Sequence, residues 1–209
     1  LGDKPLSMAA YLSAREIASP LHLYDCVMPC AGGEGFLLMS VDRARSLGLD
    51  YVQVLAADER HNAYPDDPIQ LRGGWPQFAA GLYDAAGLGP GDMHLVQTYD
   101  DYPVICLLQL EGLGFCAPGD GPRWVRDTDL RFDGNGLPHN TSGGQLSIGQ
   151  AGSAAGYLGV VEAIRQLTGR AGGNQVSDAG FALVSGYGMI NYDRGLCSAA
   201  AILARGESR

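Results

Sequence analysis

The sequence predicts an α/β layered fold. Short apolar or alternating runs, Tyr51-Val-Gln-Val-Leu-Ala56, Met93 to Thr98, Phe181 to Val184 and Leu196 to Leu203, read as strands and alternate with helically patterned stretches. The 31 glycines and 11 prolines place tight turns between them. At 209 residues, 46% hydrophobic and 18% charged, the chain is long enough for one sizeable core, or one domain with an appendage.

Taken in order, Pro5, a Ser7 cap and apolar Met8, Tyr11, Leu12 and Ile17 predict a helix within residues 1–20. Ala31-Gly-Gly-Glu-Gly35 is a turn into Phe36-Leu-Leu-Met39, expected as a buried strand. Asp42 to Leu47 reads as a short helix, followed by the 51–56 strand. Asp58 to Gly74, polar and with Pro65 and Pro68, is expected as a surface excursion. Trp75 to Ala86 reads as a helix ended by Gly87-Leu-Gly-Pro-Gly-Asp92. The 93–98 strand delivers Tyr99-Asp-Asp-Tyr102, and Pro103 opens a mostly apolar helix to about Leu113. The last two strands flank Ser185-Gly-Tyr-Gly188 and a polar connection, Asn191-Tyr-Asp-Arg-Gly195.

A net charge of −9 argues against nonspecific binding of nucleic acid or an anionic membrane. No run of eighteen apolar residues and no signal peptide occurs. Five cysteines (26, 30, 106, 116, 197), odd in number and without paired Cys-x-x-Cys spacing, read as reduced thiols of a cytoplasmic protein. Cys26 and Cys30 lack partners for a metal, so none is expected. The chain begins with Leu1, so the sequence suggests a piece of a longer product.

Chemistry concentrates in Leu137 to Ser153, a stretch of recurring Gly with small polar residues, feeding a helix near Ala154 with Tyr157, Val161, Ile164 and Leu167 at helical spacing. Ser153 is a good N-cap. Such a loop can approach a ligand closely and hold an anion or a polarised carbonyl, or it can be an ordinary tight connection. With Tyr99-Asp-Asp-Tyr102 and Ser185-Gly-Tyr-Gly188 it forms a set of junctions where α/β sheets favour ligands.

Asn140-Thr-Ser-Gly-Gly-Gln-Leu-Ser147, with Gly149-Gln150-Ala151 after it, resembles the thiolase C-terminal signature, in which Asn-x-x-Gly-Gly leads to Gly-His-Pro. The likeness is to the sterol-carrier and lipid-transfer branch. It extends through Gln109-Leu-Glu-Gly-Leu-Gly-Phe-Cys116, Glu162 to Gly169 and Gly195 to Leu203, and Pro5 to Cys26 resembles the segment ahead of the last N-terminal strand. The resemblance implies the C-terminal half of a thiolase-type layered αβαβα sandwich, with a mixed five-stranded sheet and flanking helices. Residues 1–48 would be a remnant of the loop region and last strand of the N-terminal half, and 49–209 the C-terminal domain. It further implies a complementing N-terminal half, in the same precursor or a separate chain, an oligomer, and an OB-fold zinc-ribbon partner.

The implied activity is carbon–carbon bond formation or cleavage on a coenzyme A thioester, as an acyltransferase or a retro-aldolase. The chain departs from the family at its catalytic loops. Tyr99 stands where Asn or His is expected, Gln150 replaces the Gly-His-Pro histidine, and the Cys-x-Gly cysteine is missing, its place falling within Ser185–Gly188. An amide cannot serve as a titrating base. Cys197 is expected in the last strand, too late to be that thiol. Lipid-transfer relatives that cleave steroid side chains carry Tyr-Asp at the place of Tyr99-Asp100, and their second tyrosine falls near Gln150.

The candidate catalytic residues are therefore Tyr99, Asp100, Gln150, Tyr187 and His139, and the candidate substrate-binding residues Asn140, Ser142, Gly143, Gly144 and Gly188. Each has a plainer reading. Asp100 can cap the helix after Pro103, His139 can be a local hydrogen-bonding residue, and Tyr187 can plug a turn. His22, His61 and His94 read as structural; Arg60, Arg72 and Arg123 are scattered candidates for CoA. The alternative function is a non-catalytic acyl-CoA-binding or assembly subunit.

Overall fold

A computed structural model describes residues 5–67, 71–191 and 194–206, with side chains at 153–154, 189–191 and 194–195 left undescribed. Pro68, Tyr192, Asp193 and the Ser153 cap expected from the sequence lie outside what is described.

The chain opens with α1 (Met8–Leu12), where the Ser7 hydroxyl accepts the Ala10 N–H at 3.2 Å. The helix is shorter than its apolar spacing suggested, because β1 (Glu16–Ala18) and β2 (Leu21–His22) form a small antiparallel ladder after it. Phe36–Met39 is not a buried strand: Leu37 and Leu38 are 84% and 83% exposed, and no strand pairs with the segment among the described residues. An apolar run without a neighbouring ladder has nothing to hydrogen-bond it into a core.

After α2 (Val41–Ser46), β3 (Val52–His61) runs further than the alternating apolar residues indicated. The expected polar excursion from Asp58 therefore begins only after His61, since β3 keeps pairing antiparallel with the final strand through a register shift between Val54 and Ala56. A 3-10 turn at Trp75–Gln77 leads into α3 (Ala79–Ala86), closed by Gly87 in the left-handed region at φ +68°. Next come β4 (Leu95–Gln97) and α4 (Pro103–Gly112), with Pro103 in its first turn. α5 (Gly121–Asp127), α6 (Gly144–Ile148) and α7 (Leu158–Leu167) precede the hairpin of β5 (Phe181–Asn191) and β6 (Arg194–Arg205).

The sheet is mixed, in the order β3-β6-β5-β4, with β4 and β5 parallel and the other neighbours antiparallel. It has four strands among the described residues rather than five. The fifth position is held by residues 138–140, which bond β4 as a bridge only: Val96 N–H donates to the Pro138 carbonyl at 2.9 Å and Asn140 N–H to the Val96 carbonyl at 3.0 Å. Ser185–Gly188 are not a junction either but lie inside β5, paired with Cys197–Ala200.

Strand alternation divides the core between two faces. Val96, Leu183 and Ile202 pack with Trp75, Phe78 and Leu82 and with Leu110 and Leu113 at the end of α4. Leu95, Ala182, Val184 and Leu203 pack under Ala163 and Leu167 of α7. Beside α7 this second face stays open over a groove of about 450 Å³ lined by Ala57, Tyr157, Val160, Gly186, Ala199 and Ala201.

Trp75 is fully buried and its Nε1–H donates to the Ala199 carbonyl at 3.3 Å. Trp75→Ala should lower unfolding stability by about 3–5 kcal/mol in urea titrations, mainly through a large cavity, since the Ala199 carbonyl keeps the Ser185 hydroxyl at 3.2 Å.

Candidate functional site

The site is assembled where β4 runs out and the Gly-rich loop passes over it. Tyr99 N–H still reaches the Ser185 carbonyl at 3.1 Å, so the tyrosine keeps strand direction one residue pair beyond β4. The Gln109 side chain of α4 folds back on the same peptide: its Oε1 accepts the Tyr99 N–H at 3.0 Å and its Nε2 donates to the Tyr99 carbonyl at 2.7 Å. Thr98 N–H donates to Asn140 Oδ1 at 2.8 Å, tying the loop to the strand end.

Over this end the loop turns through left-handed residues, Asn140 (φ +45°), Gly143 (φ +94°) and Gly144 (φ +64°). A Cβ on Gly144 would collide with the Asp100 carboxylate, so glycine is required there by both conformation and space. Asp100 is buried, and Oδ1 accepts the Gln145 N–H at 2.8 Å while Oδ2 accepts the Leu146 N–H at 3.2 Å. The cap that the sequence assigned to α4 is thus made to α6; α4 starts after Tyr102 with no side-chain cap. Burial raises the Asp100 pKa above the ordinary carboxylate value, against the pull of the two amides.

Gln150 and Tyr99, 51 positions apart, meet: Gln150 Nε2 donates to the Tyr99 hydroxyl oxygen at 2.8 Å. Gln150 is itself fixed by the N-terminal segment, through its N–H to the Met28 carbonyl at 2.8 Å and its carbonyl from the Cys30 N–H at 3.0 Å. Burial, with the charge of Asp101, pushes the Tyr99 phenol up to about 12. It is a protonated donor at neutral pH, and because its oxygen already accepts from Gln150, its O–H is free to point elsewhere. Beside it lies a cavity of about 20 Å³, room for one water, lined by Asp100, Asn140, Ser142, Gly144 and Gln145 among others. Gln145 Oε1 projects into the interior without a hydrogen-bond partner among the described residues.

The other candidates are placed apart. His139 Nε2 lies 2.7 Å from Thr98 Oγ1. The residue is partly buried by surface area, but its ring is packed under surrounding atoms, and that burial lowers its pKa to about 4. It is neutral and does not line the cavity. Tyr187 packs against Trp75 (ring centroids 5.7 Å apart), on the sheet face opposite Tyr99. Gly188 lies in β5 opposite Cys197, and Gly143 is exposed at the turn. Arg60, Arg72 and Arg123 pair with Asp58, Asp67 and Asp120 at 2.9, 3.1 and 3.0 Å, so they form no basic cluster. All five cysteines are free thiols, and no described helix is long and apolar enough to cross a membrane. Sequence reasoning missed Gln109 and Gln145; an amide among apolar neighbours in Cys106–Leu110 was the one signal available for Gln109.

Residues 57–204 match the model of the thiolase C-terminal domain-like family. The chain is 33% identical over 174 residues to the steroid side-chain-cleaving aldolase of Thermomonospora curvata, covering 80% of this chain and 44% of that protein. It is also 33% identical over 175 residues to the 17-hydroxy-3-oxo-4-pregnene-20-carboxyl-CoA lyase of Mycobacterium tuberculosis, covering 79% and 44%. Among solved structures it superposes on the Ltp2-ChsH2(DUF35) aldolase with a TM-score of 0.78 at 28% identity, over 97% of this chain and 52% of that one. The chain spans a little under half the length of these curated relatives.

A neutral, buried His139 gives a pH signature of fixed sign. Its folded pKa, about 4, lies below the ordinary value of 6.5, so only the unfolded chain takes up a proton between those limits. The stability it contributes is complete above pH 6.5 and is lost as pH falls toward 4, with a slope of at most about 1.4 kcal/mol per pH unit. In His139→Gln, which keeps a donor for Thr98 but does not titrate, urea unfolding followed across that window should show a shallower pH dependence than the parent.

Proposed function

Because the chain belongs to the thiolase C-terminal domain-like family, we propose that it supplies the C-terminal half of an enzyme that breaks or forms a carbon–carbon bond in a CoA thioester, by retro-aldol chemistry. The observation that carries this reading is the hydrogen bond from Gln150 to Tyr99, the tyrosine that lines the cavity. Claisen thiolysis needs a titrating base where Gln150 stands, whereas retro-aldol cleavage needs a donor for the thioester oxygen as charge develops on it. In that step the β-hydroxyl gives up its proton to water or to a base of the complementing half, and its carbon becomes a carbonyl. The electrons of the broken carbon–carbon bond pass to the thioester as an enolate, and the enolate carbon then takes a proton back. A Tyr99 hydroxyl with its proton retained to about 12 donates to that oxygen. Asp100 and Gly144 act as positioning residues, holding the loop that carries Gln150.

The likeness to relatives of which the chain covers only 44% supports a complementing N-terminal half, which would also complete the substrate site. The open groove over β3, β6 and β5 beside α7 suits its packing, because its lining is mainly Ala, Val, Gly and Tyr. Residues 1–48 then belong with that half, and the exposed Phe36–Leu38 against it. The solved neighbour's name pairs Ltp2 with ChsH2(DUF35), which supports a second protein component here, the place that an OB-fold zinc-ribbon partner would take. Native mass spectrometry of the protein from its source should find this chain within a polypeptide of roughly twice its size, or bound to another one. A stable, solitary 22.0 kDa chain would remove the family mechanism.

The second reading, a non-catalytic acyl-CoA-binding or assembly subunit, is favoured by one observation: the side chain bonded to Tyr99 is the Gln150 amide, which does not titrate, and not an imidazole. Tyr99→Phe in the assembled protein separates the two. It should reduce turnover of a β-hydroxyacyl-CoA about 10²–10³-fold with little change in thioester binding, as expected for loss of one oxyanion donor. Unchanged turnover would take Tyr99 out of the mechanism; a parent protein inert toward such thioesters would establish the binding role.

A further inference from the structure

A second constellation lies at the far end of the open sheet face, where β3 and β6 finish their ladder. His61 and Cys197, 136 positions apart, are direct cross-strand partners, and Glu59 stands two residues before His61 on the same face. Glu59 Oε1 lies 3.1 Å from His61 Nε2 and Cys197 Sγ 3.9 Å from that same nitrogen, all three atoms within 4.8 Å of one another. The sequence placed Cys197 in a strand and His61 among structural histidines, with 135 residues between them; only the antiparallel register unites them.

The geometry points to a divalent-cation site of the zinc class, with Glu59, His61 and Cys197 as three ligands. The alternative use of a Cys, His and carboxylate is a proton relay, which needs the carboxylate on one imidazole nitrogen and the thiol on the other. Here both lie nearest the same nitrogen, Nε2, which suits ligands gathered round one ion and not a relay across the ring. A tetrahedral zinc ion with bonds of about 2.3 Å to sulfur and about 2.0–2.2 Å to nitrogen and oxygen separates its S and N ligands by about 3.6 Å and its N and O ligands by about 3.4 Å. The observed 3.9 and 3.1 Å bracket those values within a few tenths of an ångström, a change that side-chain torsions supply. Thiolate, imidazole and carboxylate together suit zinc, and discriminate against magnesium and calcium, which take oxygen ligands only.

The side chains of His61 and Glu59 are 54% and 62% exposed, so an ion can enter, and its fourth position is open among the described residues. Glu59 also lines the rim of the groove, so the open position faces whatever covers it. An ion there would tie the ends of β3 and β6 at that rim. Unlike a structural zinc buried in four protein ligands, it would exchange with chelators.

The test uses the protein as isolated from its source, stripped with a chelator and titrated with cobalt(II), a spectroscopic stand-in for zinc. One equivalent should bind with a thiolate-to-cobalt charge-transfer band, and zinc should displace it. Cys197→Ser should abolish the band, and His61→Ala and Glu59→Gln, both exposed changes, should weaken binding at least roughly tenfold. Cys26→Ser should leave all of this unchanged. Absence of the band in the parent, or its survival in Cys197→Ser, would overturn the site and leave an exposed ion pair beside a thiol.

Discussion

The Asp100 carboxylate under Gly144 is the contact on which the rest of the site depends. A carboxylate taken out of water loses hydration and is tolerated only where donors replace it. Here the replacements are backbone N–H groups of Gln145 and Leu146, which also need a partner at the start of α6. Each need answers the other, and hydrogen bonds to a charged group contribute about 1.5–3 kcal/mol each to stability. The cost is visible: the Asp100 pKa is raised, so desolvation outweighs the amides. The carboxylate can come this close only because Gly144 has no side chain, and α6 can turn out of the strand end only because Gly143 and Gly144 accept positive φ. Five residues further on, Gly149 closes against Cys30, which sets Gln150 on Tyr99.

Two amide-rich clusters hold this arrangement from either side. On α4, Gln109 takes both polar groups of the Tyr99 peptide, so the backbone of Tyr99 cannot rotate independently of the helix. On α7, buried Glu162 accepts from the Thr141 hydroxyl at 2.7 Å and from Gln166 Nε2 at 2.9 Å, while Gln97 Nε2 donates to Thr141 at 3.0 Å. These side chains are buried, and mutual bonds satisfy the groups that water would otherwise serve. They make the loop after Asn140 a rigid extension of the sheet, which a donor aimed at a developing charge requires.

Much of this was legible in the sequence because local physics decides it. Pro103, Gly87 and the period-2 runs fix helix starts, stops and strands without knowledge of the rest of the chain. The glycine loop was legible as a loop, and Tyr99 and Gln150 were legible singly. What failed depends on contacts distant in sequence. Asp100 looked like the cap of the nearest helix, but the amides that bind it lie 45 and 46 residues away. Tyr187 looked like a loop residue beside glycines; β5 runs through it, and alternation sends its ring to Trp75. Phe36–Met39 looked buried because it is apolar, yet burial needs a partner surface.

The two faces of the sheet differ in a way that bears on what Tyr99 can do. The face toward α3 and α4 is closed by Trp75, Phe78 and Leu82, whereas the face that carries Tyr99 and α7 ends in an open groove. Tyr99 is only half buried, and its pKa already stands at about 12. Any layer that covers this face removes more water from the phenol, and desolvation penalises the phenolate, so covering moves Tyr99 further from ionising. The Gln150 N–H pulls in the opposite sense but is already included in that balance. A more enclosed Tyr99 is therefore a poorer base and a more persistent donor, with its hydrogen bond strengthened by the lower local dielectric. The half-open sheet and the proposed role of Tyr99 as a donor to an oxyanion would, in this sense, answer one physical requirement.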